Sequence, residues 1–182
     1  MRLAALILVG AVLLASCGQT PAAPVPGPEP TATINEIMKA MITPMNNAAS
    51  NLPEEITDPD TPEGKAKASR ADADWQAIHD AALALSEMPN LFTMEGRKVA
   101  APGVKLENEG TPSYLTAVQM EDRIRSDRTG FLKHAKAMQD ASLAIAAAAA
   151  SKNVDALYDA GGKLDESCSS CHAAFWYPTP TK

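Results

Sequence analysis

Residues 165–178 read DESCSSCHAAFWYP and place two cysteines and a histidine within five adjacent positions. The whole chain of 182 residues holds only 3 cysteines and 3 histidines, so this grouping concentrates its reactive side chains. Residues i, i+3 and i+4 lie on one face of an α-helix. If the stretch is helical, Cys168, Cys171 and His172 point to the same side. The stretch therefore predicts a chemical site carried by a helix.

The helical pattern extends upstream from this cluster to about Asn153. Apolar and small residues recur there at alternating spacings of three and four, which is typical of a helix packed in a bundle: Val154, Leu157, Gly161, Leu164, Cys168, Cys171 and Phe175. Both cysteines belong to this stripe, so we expect them to face the interior. Gly161 and Gly162 weaken a helix, and we expect them where another helix or a flat ligand comes close.

The rest of the folded region also predicts helices. One begins after Thr33, which forms a capping-box signature with Glu36, and a second covers about residues 63–88. Glycines and prolines punctuate residues 89–112, which predicts a long connection, and a third helical region covers about 113–150 with an interruption near Gly130. No stretch alternates β-branched and polar residues as a strand would. The sequence therefore predicts an all-α, antiparallel four-helix bundle whose C-terminal helix carries the site.

The first of these helices carries a stripe of sulfur-containing side chains. Ile34, Met38, Met41 and Met45 fall on one face at α-helical spacing. Pro44 interrupts the run, because proline lacks an N–H and clashes with the preceding turn. We expect it to kink the helix or to restart it with Thr43 as a cap.

The N-terminal residues predict export. Arg2 is followed by LAALILVGAVLLAS, an apolar run that is too short for a spanning helix and is typical of a secretory signal. Leu14-Ala15-Ser16-Cys17 resembles a bacterial lipobox, so residues 1–16 are read as a lipoprotein signal peptide and Cys17 as the lipidated residue. The alternative is a simple cleavage site beside a cysteine.

The predicted domain organisation follows from this processing. Residues 17–32 contain five prolines and form a lipid-anchored, proline-rich linker, and residues 33–182 form the bundle domain. We expect a periplasmic protein that is lipid-anchored to the inner or outer membrane and touches the membrane only through that anchor. The net charge of −6 argues against nucleic acid as a partner.

Three chemistries use two cysteines and a histidine at this spacing. A thioredoxin-like pair needs Cys-x-x-Cys at the start of a helix that follows a strand, whereas this pair lies late in a helix. A structural zinc ion would need another ligand from His79 or His134, and adjacent ligands at 171 and 172 suit a tetrahedral site poorly. Cys-x-x-Cys-His is the signature of covalent haem attachment. The spacing therefore favours one haem c, with thioether bonds to Cys168 and Cys171 and iron ligation by His172.

A CSSCH motif on the last of four helices resembles the class II c-type cytochromes, the cytochrome c-prime family, over roughly residues 33–178. The resemblance implies an antiparallel four-helix bundle with haem between its helices. It also implies a first-helix residue on the distal side of the haem, either an apolar blocker or a methionine ligand. EIMKAM, residues 36–41, is similar to that segment and makes Met38 the expected distal ligand, with Met41 second. A methionine stripe alone would equally fit core packing.

The sequence departs from that family where cations often pair with the haem carboxylates. Residues 31–38 contain no arginine or lysine, and Trp176 stands where an arginine is common. Arg97 and Lys98 are the replacement candidates. We expect Trp176, Tyr177 and Pro178 to cover the haem edge or cap the bundle. His79 is expected to be buried and hydrogen-bonded, and His134 to lie on the surface.

The expected function is electron transfer between redox partner proteins in the periplasm. A thioether ligand opposite His172 would favour ferrous iron, and the sequence shows no array of acids, bases or nucleophiles that predicts an enzyme. The alternative is a five-coordinate haem protein that binds or senses NO or CO, if the distal methionine only packs over the iron. The resemblance leaves a homodimer open.

Overall fold

The computed structural model describes residues 27, 29–50 and 60–178, without the side chains of 67–70. Within this part of the chain the regular structure is entirely helical: α1 (Ile34–Ile37), a π-helical turn (Met38–Ile42), α2 (Thr43–Ala49), α3 (Pro62–Phe92), α4 (Ala117–Ser126), α5 (Arg128–Ala150) and α6 (Val154–Phe175). None of these helices is long and apolar enough to cross a membrane. The predicted signal peptide, Cys17 and most of the predicted linker lie outside the described residues.

The helices pack as a bundle, which confirms the predicted fold class. Helix α5 lies at its centre and packs against both α3 and α6, while α2 packs on α3. The main core residues are almost completely buried: Ile37, Ile78, Leu85, Ile145 and Leu164. Alanines fill much of the α5 surface, since Ala135, Ala141, Ala146, Ala148 and Ala149 are all buried. The core is therefore built mainly from aliphatic side chains and alanines, and Trp75 and the three phenylalanines complete it.

The first helical segment, residues 34–49, is continuous but changes its winding. The predicted capping box at Thr33 is present, with Glu36 accepting the Thr33 backbone N–H at 2.8 Å. Thr43 keeps helical dihedral angles, φ −58° and ψ −49°, and does not act as an N-cap before Pro44. Instead the backbone widens into a π turn, in which both the N–H and the hydroxyl of Thr43 donate to the Met38 carbonyl. This winding suits Pro44, which has no N–H to continue the α-helical pattern.

The other helix boundaries lie close to the predicted ones. Helix α3 continues past Pro89 to Phe92, so it is longer than predicted. The interruption predicted near Gly130 occurs at Asp127, whose carboxylate accepts the Gly130 N–H at 2.9 Å and starts α5. Asn153 is the N-cap of α6, as predicted. No other helix comes close to Gly161 or Gly162, since a Cβ built on either would meet no described atom within 4 Å, so that part of the expectation is wrong.

The connection between α3 and α4 is irregular but well packed. Its backbone holds the start of α1, because the N–H groups of Ile34 and Asn35 donate to the carbonyls of Lys98 and Val99, both at 2.9 Å. The Val99 side chain is 1 % exposed and joins the core. The connection therefore builds one side of the bundle, a role that its glycines and prolines do not predict.

Candidate functional site

A cavity of about 340 Å³ lies between the first helical segment and α6. Its lining is mostly apolar and comes from five parts of the chain: Ile34, Asn35, Met38, Lys39, Ile42, Thr43 and Asn46; Phe92, Val99, Leu106 and Glu107; Met120 and Ile124; Phe131, His134 and Met138; and Ser167, Cys168, Cys171, His172, Phe175 and Trp176. This size and apolar character are typical of a pocket for a small molecule or cofactor. Exposed Lys39 and Glu107 give its rim one charge of each sign.

Helix α6 brings the three motif residues to this cavity together. Cys168, Cys171 and His172 all line it and are partly buried, on the stripe that also holds fully buried Leu164 and Phe175. Burial raises the pKa of the Cys168 thiol, and burial with the neighbouring Cys168 raises the pKa of Cys171 to about 12. Both thiols are therefore protonated at neutral pH, which is unlike a reactive redox cysteine.

The backbone around His172 is fixed by the end of the helix. Its carbonyl accepts the N–H groups of Trp176 and Tyr177, at 2.8 Å and 3.0 Å. The imidazole itself makes no hydrogen bond to the described residues and is held by ring contacts, with centroids 5.3 Å from Trp176 and 6.2 Å from Tyr177. Burial lowers the pKa of His172. A neutral imidazole at the cavity wall is the form that binds a metal.

The π turn decides which residues of the first helical segment reach the cavity. Ile34, Met38, Ile42 and Asn46 line it at a constant spacing of four. In an α-helix, residues four apart shift progressively around the helix axis, because a turn holds fewer than four residues. The π turn holds more residues per turn and so compensates for this shift. Met41 and Met45, which α-helical spacing places beside Met38, pack partly buried against the core and are absent from the described lining.

Several lining residues were missed by the reasoning from sequence. Met120, Phe131 and Met138 come from α4 and α5, and Val99 and Leu106 come from the long connection. The seven-residue spacing of Phe131 and Met138 is a helical signal that could have indicated a shared face. Nothing in the connection's pattern marks Val99 or Leu106, because their burial depends on the path of an irregular chain.

The two other histidines differ from their predicted surroundings. His134 is partly exposed, as the prediction implies, but it also lines the cavity, and its Nδ1 lies 3.3 Å from the Ser170 hydroxyl. Its side of α5 faces α6, which the flanking lysines at 133 and 136 do not reveal. His79 is only partly buried, contacts the Asp80 carboxylate at 3.0 Å and lies away from the described lining.

Two buried polar atoms on this apolar wall lack partners. They are the indole nitrogen Nε1 of Trp176 and the amide oxygen Oδ1 of Asn46, and neither makes a hydrogen bond with the described residues. Buried polar groups are normally paired, since leaving one unpaired costs about 1–3 kcal/mol. An apolar cavity with a helical Cys-x-x-Cys-His, a neutral imidazole and unpaired polar atoms therefore fits a large planar cofactor with polar substituents, which is the character of haem.

A second cavity, of about 510 Å³, adjoins the first and shares five lining residues with it: Ile34, Phe92, Val99, Ile124 and Phe131. Its remaining lining carries four cations and two carboxylates: Arg97, Lys98, Arg125 and Arg128, with Glu95 and Glu121. Most of these groups already have partners. The guanidinium of Arg97 donates to the carbonyls of Leu91 and Ala32, and Lys98 pairs with Glu121 at 3.1 Å.

The two competing chemistries fit this geometry less well. The cysteine pair lies late in α6, far from the helix N-terminus that a thioredoxin-like site uses. For zinc, the described residues contain no group of three or more His, Cys, Asp or Glu side chains placed to hold a metal ion. His79 and His134 supply no further ligand beside the motif in this arrangement.

The fold and site define a haem-binding helical bundle. The family model described as Cytochrome C' matches residues 36–176. The chain belongs to the cytochrome c' family and is a haem-binding c-type cytochrome. No curated protein and no solved structure gives a match.

Proposed function

We propose that the chain is an electron carrier with one covalently bound haem. In this proposal Cys168 and Cys171 form the thioether bonds, His172 is the proximal iron ligand and Met38 is the distal one. The observation that carries this proposal is that all four side chains line the same cavity, although Met38 lies near the start of the folded region and the other three lie near its end. Bound haem supplies an iron that alternates between ferric and ferrous states.

The chain's own residues hold this arrangement in place. The buried stripe of α6 fixes both thiols toward the cavity, and the bonds from Trp176 and Tyr177 to the His172 carbonyl fix the end of that helix. Apolar side chains such as Ile42 and Phe131 line the cavity and disfavour water there. An apolar site suits electron transfer, because little solvent rearrangement accompanies a change of charge.

Met38 is proposed over the other methionines on two grounds. It lies on the first helical segment, where the family carries its distal residue, and it is the one methionine of that segment among the described lining residues. Its soft sulfur favours ferrous iron and raises the reduction potential. Met120 and Met138 also line the cavity, from α4 and α5, and Met138 serves as a control in the experiment below.

The surface beside the cavity supports exchange with a protein partner. Lys39 and Glu107 are exposed and line the rim of the cavity, so a partner can approach the cofactor edge between charges of opposite sign. We further propose that the protein works in the periplasm on a lipid anchor at Cys17, carries electrons between partner proteins and turns over no substrate. Incorporation of labelled palmitate, abolished in Cys17→Ser, tests the anchor.

The visible spectrum of the full chain, made with a cytochrome c maturation system, tests the haem proposal. It is recorded oxidised, reduced, and reduced under CO. We expect a low-spin reduced spectrum that becomes high-spin and CO-binding in Met38→Ala. Met41→Ala, outside the described lining, and Met138→Ala, within it, are the matched controls and should stay low-spin.

Each other outcome has a definite meaning. A chain without a Soret band would refute haem attachment. A wild-type chain that is already high-spin and binds CO readily would leave Met38 as packing and favour a protein that binds NO or CO. Loss of the low-spin spectrum in Met138→Ala alone would move the ligand to α5.

A further inference from the structure

The indole N–H of Trp176 is buried without a partner among the described residues, and the proposed function gives it no role. We propose that this N–H donates a hydrogen bond to a carboxylate of the bound haem. The proposal rests on the proposed haem site, and it makes Trp176 the residue that receives the polar edge of the cofactor. A buried donor on an apolar wall requires an acceptor, and haem carboxylates are the strongest acceptors that the cofactor brings.

The Trp176 ring is held in place before any ligand is bound. Trp176 is the C-cap of α6. Its backbone N–H donates to the His172 carbonyl at 2.8 Å, and its backbone carbonyl accepts the Leu115 N–H at 2.9 Å. Its ring also contacts Tyr114, with centroids 5.6 Å apart at 80°, and Tyr177 at 5.6 Å. These contacts hold the ring in one place on the cavity wall.

None of the described polar groups that line the cavity accepts this N–H in the structure. Trp176 Nε1 and Asn46 Oδ1 are both unpaired, so they do not pair with each other. In the proposed site the two sulfurs and the His172 imidazole are already bonded to haem and iron. A hydrogen bond from an N–H to an ionised carboxylate is stronger than one between neutral groups. The carboxylate is thus the favoured partner.

The charge pattern of the chain agrees with a neutral donor at this place. The first helical segment has no cation before Lys39, and the cations of the second cavity largely have partners of their own. Haem carries two carboxylates, so the second cavity is the competing location for either. Lys98 is a suitable cation to replace there, because its side chain is 69 % exposed and its described partner is Glu121.

The test is resonance Raman spectroscopy of the ferrous holoprotein, read at the bending vibration of the haem carboxylates, which shifts with hydrogen bonding. Trp176→Phe removes the N–H and keeps an aromatic ring, and we expect that band to shift. Trp176→Gln restores an N–H donor without the ring and should return the band toward its wild-type position. Trp75→Phe, at the other tryptophan and outside the described lining, is the matched control and should leave the band in place.

The outcomes separate this inference from the proposed function. A band that stays unchanged in Trp176→Phe and shifts in Lys98→Met would overturn the inference and assign the carboxylates to the second cavity. A shift that Gln fails to reverse would mean that the ring packs against the haem and that its N–H is not the donor. A chain without a Soret band would refute the haem site itself, and with it this role of Trp176.

Discussion

Helix α6 and the first helical segment form opposite walls of one cavity, and they relate to the sequence in different ways. From Leu157 onward the register of α6 follows α-helical spacing, so the buried positions of Leu157, Leu164 and Phe175 and the orientation of both cysteines agree with the pattern. Val154, the first residue of the predicted stripe, is 46 % exposed. In the first helical segment the pattern holds to Met38 and then slips by one residue. A regular helix can be read from its periodicity, whereas a π turn changes which residues share a face.

The largest effect is expected on the α6 side of this comparison. His172→Ala removes the proposed proximal ligand, so the holoprotein should lose its low-spin spectrum or fail to accumulate with haem. The measurement is the visible spectrum and the haem-stained yield of the full chain. His79→Ala, at a histidine away from the described lining, is the control and should behave as wild type. A His172→Ala protein with an unchanged low-spin spectrum would contradict the assignment.

The next largest effect is the loss of stability when a core side chain on either wall is truncated. Leu164 on α6 is 1 % exposed and Ile37 on the first segment is 2 % exposed. Truncating either to alanine leaves a cavity, and we expect a loss of about 2–5 kcal/mol in the free energy of unfolding for each. Denaturant unfolding of the holoprotein measures it. Leu143→Ala, at an exposed position of α5, is the control and should change stability by about 0.5 kcal/mol or less.

A smaller effect is expected from restoring α-helical winding. Pro44→Ala returns an N–H at that position and removes the clash that favours the π turn. The segment can then wind as an α-helix, which turns Met45 toward the cavity and Asn46 away from it. We expect a partial loss of the low-spin spectrum and faster CO binding. Pro89→Ala, at a proline inside α3, should alter neither, and equal spectra for both variants would show that the π turn does not position Met38.

The smallest effect concerns the start of the first helical segment. Thr33→Ala removes the capping box, in which the Thr33 hydroxyl accepts the Glu36 N–H at 3.2 Å. We expect a loss of about 1 kcal/mol in the free energy of unfolding, measured by denaturant titration. Thr31→Ala, two residues earlier, is the control. If both variants are equally stable, the backbone bonds to Lys98 and Val99 hold this end without help from the cap.

Local patterns predicted the parts of the molecule that depend on local chemistry. The helices, the cap at Thr33, the break near Gly130 and the inward cysteines follow from spacing and capping, which act within a turn or two. The π turn, the cavity position of His134 and the burial of Val99 depend on contacts far along the chain. Residue spacing carries no information about such contacts. For that reason the sequence predicted the cavity residues of α6 and of the first helical segment but missed those of α4, α5 and the long connection.

The tight turn between α5 and α6 sets an order of events in folding. Lys152 adopts a positive φ of 51°, and the Asn153 N–H donates to the Ala148 carbonyl at 2.9 Å, so two long helices reverse direction within three residues. Contacts between neighbours in sequence form sooner than contacts that close a long loop. The hairpin that carries Cys168, Cys171 and His172 is therefore expected to assemble early. The bond from Ile34 to Lys98 joins residues far apart in the sequence, so we expect the wall with Met38 to form later and the thiols to stay accessible from that side until then.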